Sequence, residues 1–484
     1  MDRKITRQIR GVRAKTRNAK LLGIGWILAP NGAAALLFRV VAKGFTKEFR
    51  QNHGFPALAA INNGRNLPVP MNSNSNRGTP FPVMAVSAPH QPRTDIRIAY
   101  LCDMTPLDPW PYSGGNTRIF KALSREFADI TILSQSWGLA EPIRRALYRL
   151  PDALQLRLRW RLHLLLSPII RRQVERELRK GQYDVLFSAY SYHSLYRVRA
   201  PQGTCVVYTS DATPTTYKNS VIGRQFGSYI RLSRRLDPLV LKTETDTFRA
   251  ADLLLWPSKW LKNRADPLYE LDPDKSRVVP WGANIPEPTL RLEPPHLSPD
   301  STVRILFVGR NWEAKGGPIT AATVLALREA GIETHLTVVG CQPPDTGLPP
   351  EALTVYRSLD KTDPAELALF QSLYERSHFI LMPSFESYGF AFCEASAFGL
   401  PSLCLNAGGV PIEEGVNGHA LPLNATADDY RDVIRGYMDA PQKYDKLRRT
   451  TRETYVQKLN WPAWARTVAG LIVECVAAKR GGRS

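Results

Sequence analysis

Hydrophobic positions along the chain fall into two alternating patterns. Short, mainly apolar runs recur at residues 96–101, 129–133, 184–188, 205–208, 253–256 and 277–279, and again at 304–308, 335–339, 379–382 and 402–405. Each is too short for a core helix and ends in Gly, Pro or a polar cluster. That predicts strands buried on both faces, as in a parallel sheet. Between the runs lie segments of helical spacing, among them 120–127, 141–180, 321–330, 364–377 and 430–479. Strand and helix in strict alternation predict an α/β chain with crossover helices. A Pro-rich stretch at 286–300 (PEPTLRLEPPHLSPD) interrupts the alternation, and the same pattern then restarts. The expected organisation is therefore two doubly wound, Rossmann-like domains facing a cleft, at 95–285 and 301–455. A linker at 286–300 joins them, and a C-terminal helix at 456–484 is expected to cross back to the first domain.

Residues 1–94 do not follow this pattern. Residues 1–20 are rich in Arg and Lys, 21–38 (LLGIGWILAPNGAAALLF) carry no charge, and 51–94 are rich in Pro, Asn and Ser without periodicity. The uncharged stretch is just long enough for a marginal membrane span, but Pro30-Asn31-Gly32 interrupts it. Three readings stay open for this extension. It is a basic membrane-surface anchor, a signal or transit-like peptide, or a stretch outside the natural protein, whose translation would then start at Met84.

The location of the charge excludes more than its size. The chain carries a formal +20, but residues 1–94 hold 15 Lys and Arg against 2 Asp and Glu, which is +13 of it. Residues 141–180 hold 11 basic and 4 acidic residues, a further +7. The remaining body is near neutral, so a general nucleic-acid footprint is not expected. The basic segment 141–180, with Leu interleaved, reads either as a solvated helix face or as a patch for anionic membrane or an acidic acceptor. The six cysteines (102, 205, 341, 393, 404 and 475) are scattered and form no C-x-x-C pair. They read as buried free thiols in a reducing, cytoplasmic setting, neither metal ligands nor disulfides.

Candidate chemistry concentrates in residues 377–411. An apolar run is stopped by Pro383, a polar turn follows at 384–389, and an Ala-rich helical segment runs to Gly399-Leu400-Pro401. A second run ends at Ala407-Gly408-Gly409. Both loops fall at strand C-termini, where open α/β sheets bind ligands. The helix start at Ser387, Tyr388, Gly389 and Phe390 offers unpaired N–H groups to a phosphate. Glu386 and Glu394 flank it and can accept bonds from vicinal hydroxyls. Taken alone, each reads as an ordinary turn or helix-surface acid. Glu394, however, sits in the otherwise apolar FAFCEASAFG, where a carboxylate needs a partner. Upstream, Gly309, Arg310 and Lys315 share one glycine-rich loop. A forked guanidinium and an ammonium there suit a diphosphate, against the plainer reading of surface charge. In the first domain, Ser113-Gly114-Gly115-Asn116-Thr117-Arg118 follows the first strand as an anion-binding loop or a simple turn. Asp211 and His193 follow later strands, and for His193 a hydrogen-bonded loop histidine is the competing reading.

Glu386 and Glu394, with seven residues between them and Gly408-Gly409 after them, resemble the E-x7-E region of the retaining glycosyltransferases of family 4 (group 1, GT-B fold). Ser113-Gly114-Gly115, Trp281-Gly282-Ala283-Asn284, Gly309-Arg310 with Lys315-Gly316, and Asn460-Trp461 match the same family in order, so the resemblance covers about residues 95–480. It implies a hexosyltransferase that uses a nucleotide-diphosphate sugar, retains anomeric configuration and needs no metal or other cofactor. Glu394 would bind the ribose hydroxyls and Glu386 the hexose. Arg310, Lys315 and the amides of Ser387 to Phe390 would hold the diphosphate. Gly114, Gly115 and Asn116 would approach from the first domain. The family's usual histidines are displaced here, so Asp211 is the expected polar contact in the cleft ahead of His193. The resemblance leaves the base, the sugar and the acceptor open. Together with the basic segment, it points to a sugar, lipid-linked or glycan acceptor in cell-surface polysaccharide or glycolipid synthesis at the inner membrane face. A donor-binding protein without transferase activity is the alternative. A nicotinamide-dependent dehydrogenase would want G-x-G-x-x-G after the first strand, where this chain has SGGNTR.

Overall fold

The computed structural model describes residues 91–481, apart from 109–110, 151, 226–234 and 291–294. The N-terminal extension, with its uncharged stretch and Met84, lies outside the described residues.

Twelve strands form two six-stranded, wholly parallel sheets. The first contains β1 (Arg93–Leu101), β2 (Phe127–Ile132), β3 (Val185–Ala189), β4 (Cys205–Thr209), β5 (Leu253–Trp256) and β6 (Ser276–Val278), in the spatial order β2-β1-β3-β4-β5-β6. The second contains β7 (Val303–Val308), β8 (Thr334–Val339), β9 (Leu353–Tyr356), β10 (Phe379–Met382), β11 (Ser402–Leu405) and β12 (Gly418–Leu421), in the order β12-β11-β10-β7-β8-β9. The strand order reverses between β1 and β3 in the first sheet and between β7 and β10 in the second. Those are the crevices where doubly wound sheets take ligands. Five helices matter below: α1 (Gly115–Glu126), α2 (Asp152–Gly181), α3 (Gly317–Glu329), α4 (Phe390–Ala397) and α5 (Trp461–Gly481).

The central strands β3, β5, β10 and β11 are buried at every position, as continuous apolar runs require. The two strands that the hydrophobic pattern misses are both sheet edges. β9 is only partly buried throughout, and β12 opens on Gly418 and His419. An edge strand is covered on fewer sides, so it does not need the unbroken apolar run that betrays a central one.

The two sheets are joined by an aromatic seam. Trp281 stacks on Phe390 with ring centroids 5.8 Å apart, and Tyr388 donates its hydroxyl to the Trp281 carbonyl at 2.7 Å. Asn460 caps the start of α5 through Ala463 N–H, while Ala283 N–H bonds the Leu459 carbonyl. The Trp281-Gly282 and Asn460-Trp461 motifs, about 180 residues apart, thus meet at one crossing point. From there α5 runs back over the first sheet, packing on α1 and β4. Lys479 pairs with Asp252, and Arg480 with Asp184, each at 2.8 Å.

That returning helix corrects the cysteine expectation. Cys205, at the start of β4, and Cys475, on α5, are joined by a disulfide, with their Cα atoms 6.2 Å apart; Cys102, Cys341, Cys393 and Cys404 are free. A spacing scan cannot find a pair separated by 270 residues, which only the tertiary crossover brings together. The cysteines therefore do not argue for a reducing compartment. Among the described residues, no helix is long and apolar enough to cross a membrane.

Candidate active site

The residues expected to hold the donor lie on the β7/β10 crevice. The β7 strand ends at Val308, and its loop carries Gly309, Arg310 and Lys315 into α3. The β10 strand ends at Met382, and its loop carries Glu386 to the start of α4. Lys315 Nζ pairs with Glu386 Oε1, which also accepts from Ser384 Oγ at 3.1 Å. Gly309 leaves the space that the Lys315 stem occupies: a Cβ there would sit 2.6 Å from Lys315 Cγ. Arg310 is exposed in the same loop. The two loops thus meet directly, carboxylate to ammonium, a contact the sequence did not reveal.

Glu394 lies one turn into α4 and is only 4% exposed. Its two oxygens are both engaged. Oε1 accepts from Lys361 Nζ at 2.9 Å, and Oε2 accepts from Tyr374 Oη at 3.1 Å. The partner that an isolated carboxylate in an apolar helix must have is thus a lysine that linear reasoning missed. Lys361 lies in the loop after the edge strand β9, its ammonium 4.2 Å from the centre of the Phe370 ring. The only signal for it would have been β9 itself.

The turn at 387–390 uses its side chains for structure and leaves its backbone for ligand. Tyr388 is 2% exposed and bonded to Trp281, and Phe390 lies against Trp281. Gly389 caps the helix, its carbonyl accepting from Phe392 N–H at 3.1 Å, and a helix start leaves its first N–H groups without i−4 acceptors. The turn is held from behind by Gly408 and Gly409. Gly408 (φ 71°) bridges to Glu386, where a side chain would run into the Glu386 carbonyl, and Gly409 N–H bonds the Ser387 carbonyl at 3.1 Å. Ser387 Oγ donates across the cleft to Asp211 Oδ2, which places Asp211 of the first sheet at the donor turn. Burial pushes the Asp211 carboxyl above its ordinary range, opposed by the Ser387 bond.

The first sheet's crevice, between β1 and β3, is filled differently. Gly114 is left-handed at the start of α1, and Gly115 packs under Tyr190 and Phe390. Asn116 is fully buried and works as a clamp: it accepts from Tyr100 Oη at 2.7 Å and donates to the Met104 carbonyl at 2.9 Å. Asn284 of the crossing point donates to the Ser113 carbonyl at 2.7 Å. His193 sits apart from the donor turn, in a buried cluster that the sequence did not reveal. Its Nε2 is 3.8 Å from Asp103 Oδ2, and its ring lies 4.1 Å from that of His163. Arg159 of α2 reaches the same Asp103 oxygen at 3.3 Å, and Tyr112 Oη donates to Asp103 Oδ1 at 2.9 Å. Neither ring nitrogen of His193 has a hydrogen-bond partner among the described residues. Burial pulls its pKa down to about 4, and pulls that of His163 well below its usual value. Tyr112, Ser113 and Tyr190 around this crevice all have left-handed backbones (φ 55°, 53° and 60°), a costly conformation that clusters at functional sites.

Among the described residues, Cys205, Asp252 and Cys475 are the one grouping with metal-ligand composition. The sulfurs are joined to each other, and Asp252 is taken by Val206 N–H and Lys479, so the group offers no metal site.

Two parallel doubly wound sheets, whose strand C-termini face one cleft, define a GT-B glycosyltransferase fold. Glycosyltransferase Family 4 matches residues 116–286 and Glycosyl transferases group 1 matches residues 302–439. The chain belongs to these family 4, group 1 glycosyltransferases. It is similar, at 28% identity over 232 residues, to the D-inositol 3-phosphate glycosyltransferase of Segniliparus rotundus, covering 44% of this chain and 49% of that protein. The protein of the same name from Corynebacterium glutamicum is 28% identical over 221 residues, covering 42% of this chain and 52% of that protein. The chain thus spans about half the length of the curated relatives it matches. Among solved structures it resembles sucrose-phosphate synthase from Thermosynechococcus elongatus (TM-score 0.54, 18% identity, 79% of this chain and 100% of that one). It also resembles the lipopolysaccharide outer core galactosyltransferase WaaB (TM-score 0.52, 14% identity, 78% and 99%). At such identities these structures speak for the fold alone.

Proposed function

We propose that this glycosyltransferase moves a hexose from a nucleotide-diphosphate sugar to an acceptor hydroxyl with retention of configuration and without a bound metal. The observation that carries the proposal is the paired arrangement on the β7/β10 crevice, with Glu386 held by Lys315 and Glu394 held by Lys361 on one strand–loop–helix unit. Glu394 would take the ribose diol and Glu386 the hexose hydroxyls. The diphosphate would lie between them, on the first turn of α4, with Arg310 and Lys315. The donor's C1–O bond breaks and its electron pair stays on the diphosphate oxygen. The acceptor oxygen bonds C1 on the same face, and its proton passes to the departing phosphate. Cations and helix amides neutralise the leaving group, the work a metal does elsewhere.

For the acceptor, the name of the curated relatives makes a phosphorylated polyol one class to test. A lipid-linked or glycan acceptor at the inner membrane face is supported by the basic segment 141–180, on which Leu139 at its margin and Leu165 within it are exposed. The function is tested by thermal shift of the full chain with UDP, GDP, ADP and TDP, with and without chelator. One of them at about 100 times its Kd should add ~2.7 kcal/mol of stability, unchanged by chelator and reduced to about half in Glu394→Ala. No shift with any of the four sinks the nucleotide-sugar donor. Binding without turnover of the matching sugar nucleotides leaves the donor-binding alternative.

A further inference from the structure

The first sheet sends a cation of its own toward the donor. α1 starts against the donor helix: a Cβ at Gly115 would lie 3.2 Å from Phe390 Cζ, and Phe390 is the first residue of α4. Residues three and four apart share a helix face. Arg118 lies one turn along α1 from Gly115, and Glu394 one turn along α4 from Phe390. Arg118 is half-buried and makes no hydrogen bond or ion pair among the described residues. Burial pulls its proton affinity down, and the nearby charge of Glu394 opposes that pull. Glu394 makes no bond to Arg118; its carboxylate oxygens are bonded to Lys361 and Tyr374. A guanidinium with five donors, no protein acceptor and a position beside the start of α4 can take an anion.

We propose that Arg118 is a donor-contacting residue, supplied by the first sheet, whose guanidinium binds the diphosphate of the nucleotide sugar from the side opposite Arg310 and Lys315. This rests on the nucleotide-sugar assignment above and adds the residue that couples the two sheets through the ligand. The position fits the chemistry. The diphosphate is attached to the ribose that Glu394 would hold, so a group one step from Glu394 meets phosphate. A planar fork suits phosphate oxygens better than a diol. Lys315 is paired with Glu386 and Lys361 with Glu394, so two of the cleft's ammonium groups have carboxylate partners, and Arg118 is a cation beside them without one.

The test compares a nucleoside with its diphosphate. On the full chain, affinities for UDP, GDP, ADP and TDP are measured by calorimetry. For any that binds, the parent nucleoside is measured by ligand-observed NMR. Arg118→Ala is expected to weaken the diphosphate ~10–100-fold, as loss of a charge-assisted bond does, while nucleoside binding stays unchanged. Arg118→Lys should recover part of the loss and Arg118→Gln none. Equal weakening of nucleoside and diphosphate, or no weakening of either, overturns the proposal. If Arg118→Ala lacks a cooperative thermal transition, the Lys and Gln variants keep the stem and carry the same comparison. If the wild-type chain binds none of the four diphosphates, the donor assignment itself fails. Normal diphosphate binding that is unaltered in Arg118→Gln removes only the role of Arg118.

Discussion

The two crevices of this protein have equivalent topology and opposite electrostatic character. At β7/β10 the charged groups are paired one to one at the cleft: Glu386 with the one-third-exposed Lys315, Glu394 with the one-third-exposed Lys361. Each carboxylate is held in place by a lysine that a ligand can displace or share. At β1/β3 the polar groups are sealed in. Asp103, His163 and His193 are all buried, both imidazoles are driven toward the neutral form, and three residues bear left-handed backbones. The β7/β10 crevice is thus arranged to exchange partners, and the β1/β3 crevice to hold a shape. That division suits a reaction in which the donor carries the charge and the acceptor must be distinguished by fit.

The largest expected effect tests the donor side. Glu386→Ala should lower turnover ~100-fold or more, as loss of a group acting at the reacting centre does, with little change in nucleotide affinity. An unchanged rate would take Glu386 out of the reaction.

The next tests the sealed side. His193 is ordinarily protonated near pH 6.5, but in the fold only near about pH 4. The unfolded chain therefore takes up the proton first as pH falls. The stability that the neutral ring contributes is complete above pH 6.5 and is lost between 6.5 and about 4. The loss is on the order of 3 kcal/mol, and His163 adds to it in the same direction. Urea denaturation at several pH values should show a shallower acid slope for His193→Gln than for wild type. An equal slope would mean that the ring is hydrated, not sealed.

A smaller effect sharpens the donor comparison. Glu394→Ala should weaken the bound nucleoside diphosphate ~10-fold while leaving the rate at saturation nearly intact, the converse of Glu386→Ala. The reverse pattern would exchange the two roles. The smallest effect concerns the basic segment beside the acceptor crevice. Sedimentation with vesicles containing phosphatidylserine should exceed that with phosphatidylcholine alone and fall as salt rises through the physiological range. Equal binding to both would remove the membrane surface as a partner.

The sequence by itself determined the two-sheet architecture and which loops carry the charged residues of the β7/β10 crevice. Runs such as Leu253–Trp256 and Phe379–Met382 must be buried wherever they lie, and Glu386, Glu394, Arg310 and Lys315 sit in loops whose strands and helices follow from local pattern. A loop and the elements flanking it are contiguous in the chain, so their chemistry can be read along it. Tertiary structure alone decided what joins them. Lys361 reaches Glu394 from the loop after an edge strand too exposed to show an apolar run. Asp103, Arg159 and His193 meet across 90 residues, Gly115 of the first sheet's α1 lies against Phe390 of α4, and Cys475 finds Cys205 only because α5 returns. Such contacts depend on how helices and sheets pack, and packing leaves no periodic trace at the residues that happen to meet.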